Sequence, residues 1–253
     1  MPARLTTRRA LALAAGLVLG GLPAYTELAG SAQAQTSATI EPAFTPDRLN
    51  AEGALTLTID YSAGEAAVPS PVRRLVMMLP AGLGLNIPTL RSCSATRLLV
   101  RGASGCPAQS KLGGGHALIE ADAGSQLITE RITLSLFLGP LQGFQPTFEV
   151  LGQGHTPLLR RIVLRGTVIP GHSPYGEELM MSIPPIPTVP LEPDASVAEL
   201  TLTVGASAHR LAADANTIVV PPGCPVGGFP FAAETTYADG LTGSSLATAF
   251  CPR

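Results

Sequence analysis

Two stretches, "ALTLTIDY" at 54–61 and "ELTLTV" at 199–204, set a large aliphatic residue at every second position with threonine between. Side chains two residues apart share a face only in extended chain, so Leu55, Leu57 and Ile59, and Leu200, Leu202 and Val204, each predict a strand with one buried face and one wet face. Further short segments follow the same rule: "VRRLVMMLP", "GGHALIEAD", "ERITLSLFLG", "PTFEVLG", "RRIVLRGTVIP", "EELMMSIP", "NTIVVPP", "GFPFAAETTYAD" and "SSLATAFCP". Each is bounded by Gly, Pro or Asp. The 27 Gly and 24 Pro are spread along the chain, which leaves no room for long helices. The expected fold is an all-β, antiparallel β-sandwich, immunoglobulin-like or jelly-roll-like, of about ten to twelve short strands. "VRRLVMMLP" at 72–80 is read as the partner of 54–61, and the last two segments as a hairpin across "GLTG". The region 89–99 accommodates one or two helical turns.

Residues 1–34 read as an export signal. Arg4, Arg8 and Arg9 precede the apolar run "ALALAAGLVLGGLPA", and Ala32 and Ala34 in "SAQAQ" occupy the small-residue positions of a cleavage site. The pair Arg8-Arg9 resembles a twin-arginine signal. The run is too short for a membrane span, so no transmembrane anchor is expected in the mature chain. Residues 35–50, polar and proline-containing, are read as a flexible arm. Residues 51–253 form the β-sandwich domain, with a division into two subdomains near 183–194 as the alternative.

Removing the leader takes Arg4, Arg8, Arg9 and Glu27 from 16 basic and 18 acidic residues, leaving a net charge near −4. That balance excludes nucleic acid as an expected partner. Cys93, Cys106, Cys224 and Cys251 form two local pairs, and outside the cytoplasm Cys93–Cys106 and Cys224–Cys251 are the expected disulfides. Each closure stabilises the fold by about 3 kcal/mol. The absence of any Cys-x2-Cys spacing argues against a thiolate metal site.

"IPPIPTVPLEPD" at 183–194 places prolines at 184, 187, 190 and 193, the three-residue period of a polyproline II helix. Its apolar residues make it a rigid crossing that covers an edge or passes between sheets, rather than a solvated linker.

No nucleophile elbow, zinc helix or phosphate loop is present. "LGGGH" at 112–116 is read as a glycine-rich strand entry. His116, His155, His172 and His209 have no spacing that requires a metal. Glu177 and Glu178 point to opposite faces of a strand, so they do not form an acid–base pair; Glu192 and Asp194 end the stiff segment. Ser92, Ser94, Asp194 and His209 supply the residue types of a triad without its geometry. No catalytic, cofactor-binding or metal-binding residue is therefore expected.

The stretches "LPAGLGLNIPTL", "CSATRLLVRGASGCPAQSKLGGGHALIEA" and "CPVGGFPFAAETTYADG" resemble uncharacterised exported β-rich proteins of high-GC soil actinobacteria. The resemblance implies export and disulfides and carries no activity. The function expected is that of a secreted or envelope-associated, non-catalytic β-sandwich acting by surface binding or as a structural component, with an unknown extracytoplasmic protein or surface component as partner. Two alternatives stand beside it: an extracellular hydrolase with a loop-built site, and a carrier holding a small apolar ligand between sheets. For the carrier, the alternating faces at 55–59 and 200–204 are the expected lining.

Overall fold

A computed structural model describes residues 36–64, 66–85, 90–122, 126–155, 161–188, 194–205 and 218–251. The export signal read at 1–34 lies outside them, as do His209, Glu192 and residues 189–193 of the proline-rich stretch. Gln33–Arg253 is a compact unit.

Alternation becomes strands: β1 Ser37–Thr45, β2 Glu52–Ser62, β3 Val72–Pro80, the two-residue β4 Gly84–Leu85, β5 Lys111–Asp122, β6 Leu127–Leu138, β7 Thr147–Gln153, β8 Arg161–Pro170, β9 Tyr175–Ser182, β10 Ser196–Val204, the two-residue β11 Ile218–Val219, β12 Phe229–Tyr237 and β13 Thr242–Ala249. Among the described residues one α-helix, α1 Ala95–Arg101, followed by two single turns of 3-10 helix, interrupts the series. Every pairing is antiparallel, in the order β13-β12-β3-β9-β8-β7-β6-β5-β10-β2-β11-β4, with β1 on the other part of β2. The antiparallel all-β class expected from the sequence is the class observed.

Two local expectations are corrected. The arm expected at 35–50 holds strand β1, because Ala38, Ile40, Pro42 and Phe44 alternate and turn one face inward; Ile40 and Phe44 are buried against the core. The pairing of 54–61 with 72–80 does not form. β2 lies between β1 and β10, whereas β3 lies between β12 and β9. Both strands present an apolar face to the same core, and alternation specifies a face without naming the neighbour.

The sheet curls until its two edges approach. β1 pairs only with β2 and β13 only with β12, yet Cα atoms of β1 and β13 lie within 8 Å of one another. Setting aside the two-residue β4 and β11, eleven strands alternate in direction from β1 round to β13. Because that number is odd, β1 and β13 run the same way along their shared seam. Pro42 has no N–H to donate, and proline is tolerated on an edge strand of this kind.

Glycines make the tight curl between β5 and β10 possible. A Cβ at Gly113 or Gly115 would lie 2.0 or 1.9 Å from the carbonyl oxygens of Thr203 and Thr201. The "LGGGH" run is thus a close backbone approach inside a ladder, in keeping with its reading as a strand element.

Both disulfides form as expected. Cys93–Cys106 and Cys224–Cys251 have Cα separations of 5.6 and 5.8 Å, and no cysteine is free. The first closes a segment that lays α1 over the outside of the sheet, where Leu98 packs with Phe137, Leu151 and Cys93. Ser94 caps the helix by accepting from the Arg97 N–H, and the Arg161 guanidinium donates to the Leu99 and Val100 carbonyls at its C-terminal end. A cation there also suits the helix dipole. Among the described residues no helix is long and apolar enough to cross a membrane.

Candidate ligand cavity

Eight strands point side chains into one space, all but β2 contributing aliphatic or methionine residues. Ala117 and Ile119 come from β5, Ile132 and Leu134 from β6, Val150 from β7, Ile162 and Leu164 from β8, and Leu200 and Leu202 from β10; β2, β3 and β9 contribute Tyr61, Val72, Leu75 and Met181. Apart from the Tyr61 ring and Gly152, every lining residue is aliphatic or methionine. The space open to the centres of water-sized spheres is about 60 Å³. At roughly 10–15 Å³ per water, it has room for about four to six small groups, but it offers them no hydrogen bond, so it is a dry site.

Two of the six residues anticipated as lining for a carrier are found there. Leu200 and Leu202 border the space, whereas Leu55, Leu57, Ile59 and Val204 belong to the core or pack against it without lining the space. The remaining lining residues read as ordinary core residues, because a strand pattern predicts burial and is silent about a void.

The proline-rich stretch reaches the cavity through its described residues. It leads from β9 to β10, which the sheet order separates by β8, β7, β6 and β5. Ile183 and Ile186 line the cavity from it. The Ile183 N–H donates to the Arg73 carbonyl, the Ala195 N–H donates to the Ile186 carbonyl, and Arg73 pairs with Asp194 at 2.5 Å. These contacts belong to residues 183, 186, 194 and 195; residues 189–193 lie outside the described residues.

Polar groups stay at the margins of this space. The Tyr61 hydroxyl is held neutral: burial raises its pKa strongly, while a hydrogen bond with Thr235 opposes the rise. Glu130 is buried at the cavity end of β6 and accepts the His155 N–H. On the outer face of β7, Glu149 is 0 % exposed; its Oε1 accepts from Arg165 Nε at 2.8 Å and Nη2 at 2.7 Å, and its Oε2 is a buried atom with no hydrogen-bond partner among the described residues. Burial pushes the Glu149 carboxyl up and Arg165 pulls it back.

The residues weighed for chemistry are dispersed. His116 faces Glu199 at 3.3 Å on β5, His155 lies in the loop after β7, and His172 sits 3.4 Å from Glu178 before β9. Among the described residues no group of three or more His, Cys, Asp or Glu is placed to hold a metal ion. Ser94 is occupied as a helix cap and Asp194 by Arg73. A second, wider depression of about 430 Å³ follows the β1–β13 seam, lined by Ile40, Pro42, Phe44, Ala247 and Phe250 and by the carboxylates Glu41 and Asp47. It opens to solvent.

No protein-family model, curated protein or solved structure matches this chain.

Proposed function

We propose that this protein is an extracytoplasmic, non-catalytic binding protein that holds a small apolar molecule, or the end of a hydrocarbon chain, inside its curled sheet. The two halves of the sheet then act as the layers of a sandwich, with the ligand between them. The observation that carries this reading is the cavity: a space walled by the aliphatic residues of several strands and bordered by no polar side chain except the Tyr61 ring. An empty apolar void forfeits the dispersion contacts of its walls, so a ligand that restores them binds favourably. Transfer of each methylene from water contributes roughly 0.8 kcal/mol. The two disulfides and the leader-like start of the chain support an oxidising, exported setting.

Titration with xenon, a single apolar atom suited to a space of about 60 Å³, tests the proposal. Methyl resonances of Ile119, Ile132, Leu134 and Leu200 are expected to shift in a saturable way, and Ala117→Val, which adds bulk to the wall, is expected to abolish the shift. Resonances that stay fixed as the xenon pressure is raised overturn the reading.

A second reading, action by surface contact, is favoured by apolar side chains held in water. Phe144 at the tip between β6 and β7, Val226 beside Cys224, and Phe250 and Leu246 near Cys251 are all strongly exposed. It predicts concentration-dependent association that Phe144→Ser with Phe250→Ser removes, as measured by sedimentation velocity.

A further inference from the structure

We infer that the α1 cover on the outside of the sheet is a docking face for an anionic lipid bilayer. Arg91, Arg97, Arg101 and Arg161 meet the phosphates, and Leu99 and Val100 enter the acyl boundary. This face is independent of the cavity. Its origin is visible in the sequence: residues 66–119 contain no Asp or Glu, yet they carry Arg73, Arg74, Arg91, Arg97, Arg101 and Lys111. A chain of net negative charge has thus collected its carboxylates elsewhere, and the cover is built from the acid-free run. Within the seven-residue helix only Leu98 is buried, so the rest of α1 is left facing outward over β7 and β8. Arg97 and Arg101 are one turn apart and share a side of the helix with Val100. Both arginines are exposed, as is Arg91 just ahead of Cys93, and Leu99 and Val100 are 47 % and 71 % exposed.

Arg161 adds a fourth guanidinium from β8, lying against Gly102 while it donates to the Leu99 and Val100 carbonyls. Among the described residues none of these four arginines is paired with a carboxylate, whereas Arg73 is held by Asp194 and Arg165 by Glu149. Four such cations around two exposed aliphatic side chains complement an anionic interface. The guanidinium groups reach the headgroups, and the aliphatic side chains leave water at the acyl boundary. The Cys93–Cys106 bond and the buried Leu98 fix the cover in advance, so docking carries little ordering cost. Another part of the sheet has the opposite character. Asp60 and Glu199 are cross-strand partners on β2 and β10, and Glu41 lies on β1 beside them. Repulsion of those carboxylates turns α1 toward a negative surface.

The test is flotation of the mature chain, residues 35–253, with two kinds of vesicle: phosphatidylcholine alone, and phosphatidylcholine with about one-third phosphatidylglycerol. Binding is expected to the anionic vesicles only, and it is expected to disappear at about 0.5 M NaCl, where the Debye length shrinks to a few ångströms. Arg97→Gln with Arg101→Gln is expected to weaken the partition roughly 25-fold, about fivefold for each charge. Leu99→Ala with Val100→Ala is expected to weaken it roughly tenfold through lost apolar contact. All four substituted side chains are exposed, so these variants keep the fold. Leu246→Ala, an exposed aliphatic residue on β13, is the control for general stickiness and leaves the partition unchanged. No binding to anionic vesicles, equal binding to both kinds, or an Arg97→Gln, Arg101→Gln variant that binds as well as the unaltered protein overturns the inference. So does displacement by soluble polyphosphate combined with no effect of Leu99→Ala and Val100→Ala, a result that assigns the face to a soluble polyanion. Each of these outcomes leaves xenon binding in the cavity as a separate question.

Discussion

The interior of this protein has two halves built from the same strands to different standards. Near the β1–β13 seam the core is aromatic: Phe44 meets Phe229 edge-on with ring centroids 5.5 Å apart and lies 6.1 Å from Phe231. At the other end, where Ile183 and Ile186 lie, the lining is aliphatic apart from the Tyr61 ring, which meets Tyr237 edge-on at 6.5 Å, and it leaves a void. Flat rings fill the gap between facing strands that Val, Ile and Ala leave open, so a chain poor in aromatics has enough to finish one half. A shortage of large side chains is therefore a physical cause of the cavity. The packed half supplies stability and the hollow half supplies the space.

The comparison breaks first on truncation. Phe231→Ala is expected to cost about 3–5 kcal/mol in urea unfolding, while Leu134→Ala, on a wall that already lacks neighbours on one side, costs about 2 kcal/mol. Equal losses would mean that the halves are packed alike. Next in size are the staples. Cys224→Ala with Cys251→Ala is expected to lower stability by about 3 kcal/mol by freeing the end of β13 beside the packed half, and the same change at Cys93 and Cys106 by a similar amount through loss of the α1 cover.

A pair of isosteric insertions sharpens the contrast. Ala233→Val, in the solid region of β12, is expected to destabilise by about 1–3 kcal/mol through overpacking, whereas Ala117→Val fills empty space and stabilises by about 1 kcal/mol. The opposite signs, read from thermal unfolding, are the sharpest test that the void exists in solution. The smallest effect is electrostatic. Glu149, Glu177 and Asp60 all have raised pKa values, burial being the main cause for each. The folded state therefore binds these protons more tightly than the unfolded chain, so stability is greatest below the ordinary glutamate value of 4.5 and falls as the pH climbs through the folded-state value. Glu149→Gln is expected to flatten this slope above pH 4.5, as followed by urea midpoints.

Much of the fold was legible in the pattern of residues. Alternation located most of the long strands, and proximity in sequence was enough to pair the cysteines, because both loops are short and both pairs sit at strand ends. β1 was missed because Pro42 and the polar residues around Ile40 and Phe44 weaken a pattern that only burial of the latter two makes plain. Strand order was not legible at all. The Leu-x-Leu face of β2 fits β10 as well as β3, and alternation alone does not choose between them. For the site, the faces at 55–59 and 200–204 were expected as lining and only Leu200 and Leu202 are found there, while nothing in the proline run announced that Ile183 and Ile186 would join them. The void itself depends on how facing volumes sum across strands far apart in sequence, which no local pattern encodes.

The odd number of long strands has a practical effect on the ends of the chain. Since β1 and β13 travel in the same direction, the chain enters the sheet at one pole and leaves at the other; Thr36 sits beside Ser70 near the crossing, and Cys251 is bonded to Cys224 at the far side. At about 3.3 Å per residue, the nine-residue β1 separates those poles by roughly 30 Å. Anything fused ahead of residue 36 lies beside Ser70 at one pole of the sheet, whereas a tether placed after residue 251 holds the molecule by the opposite pole.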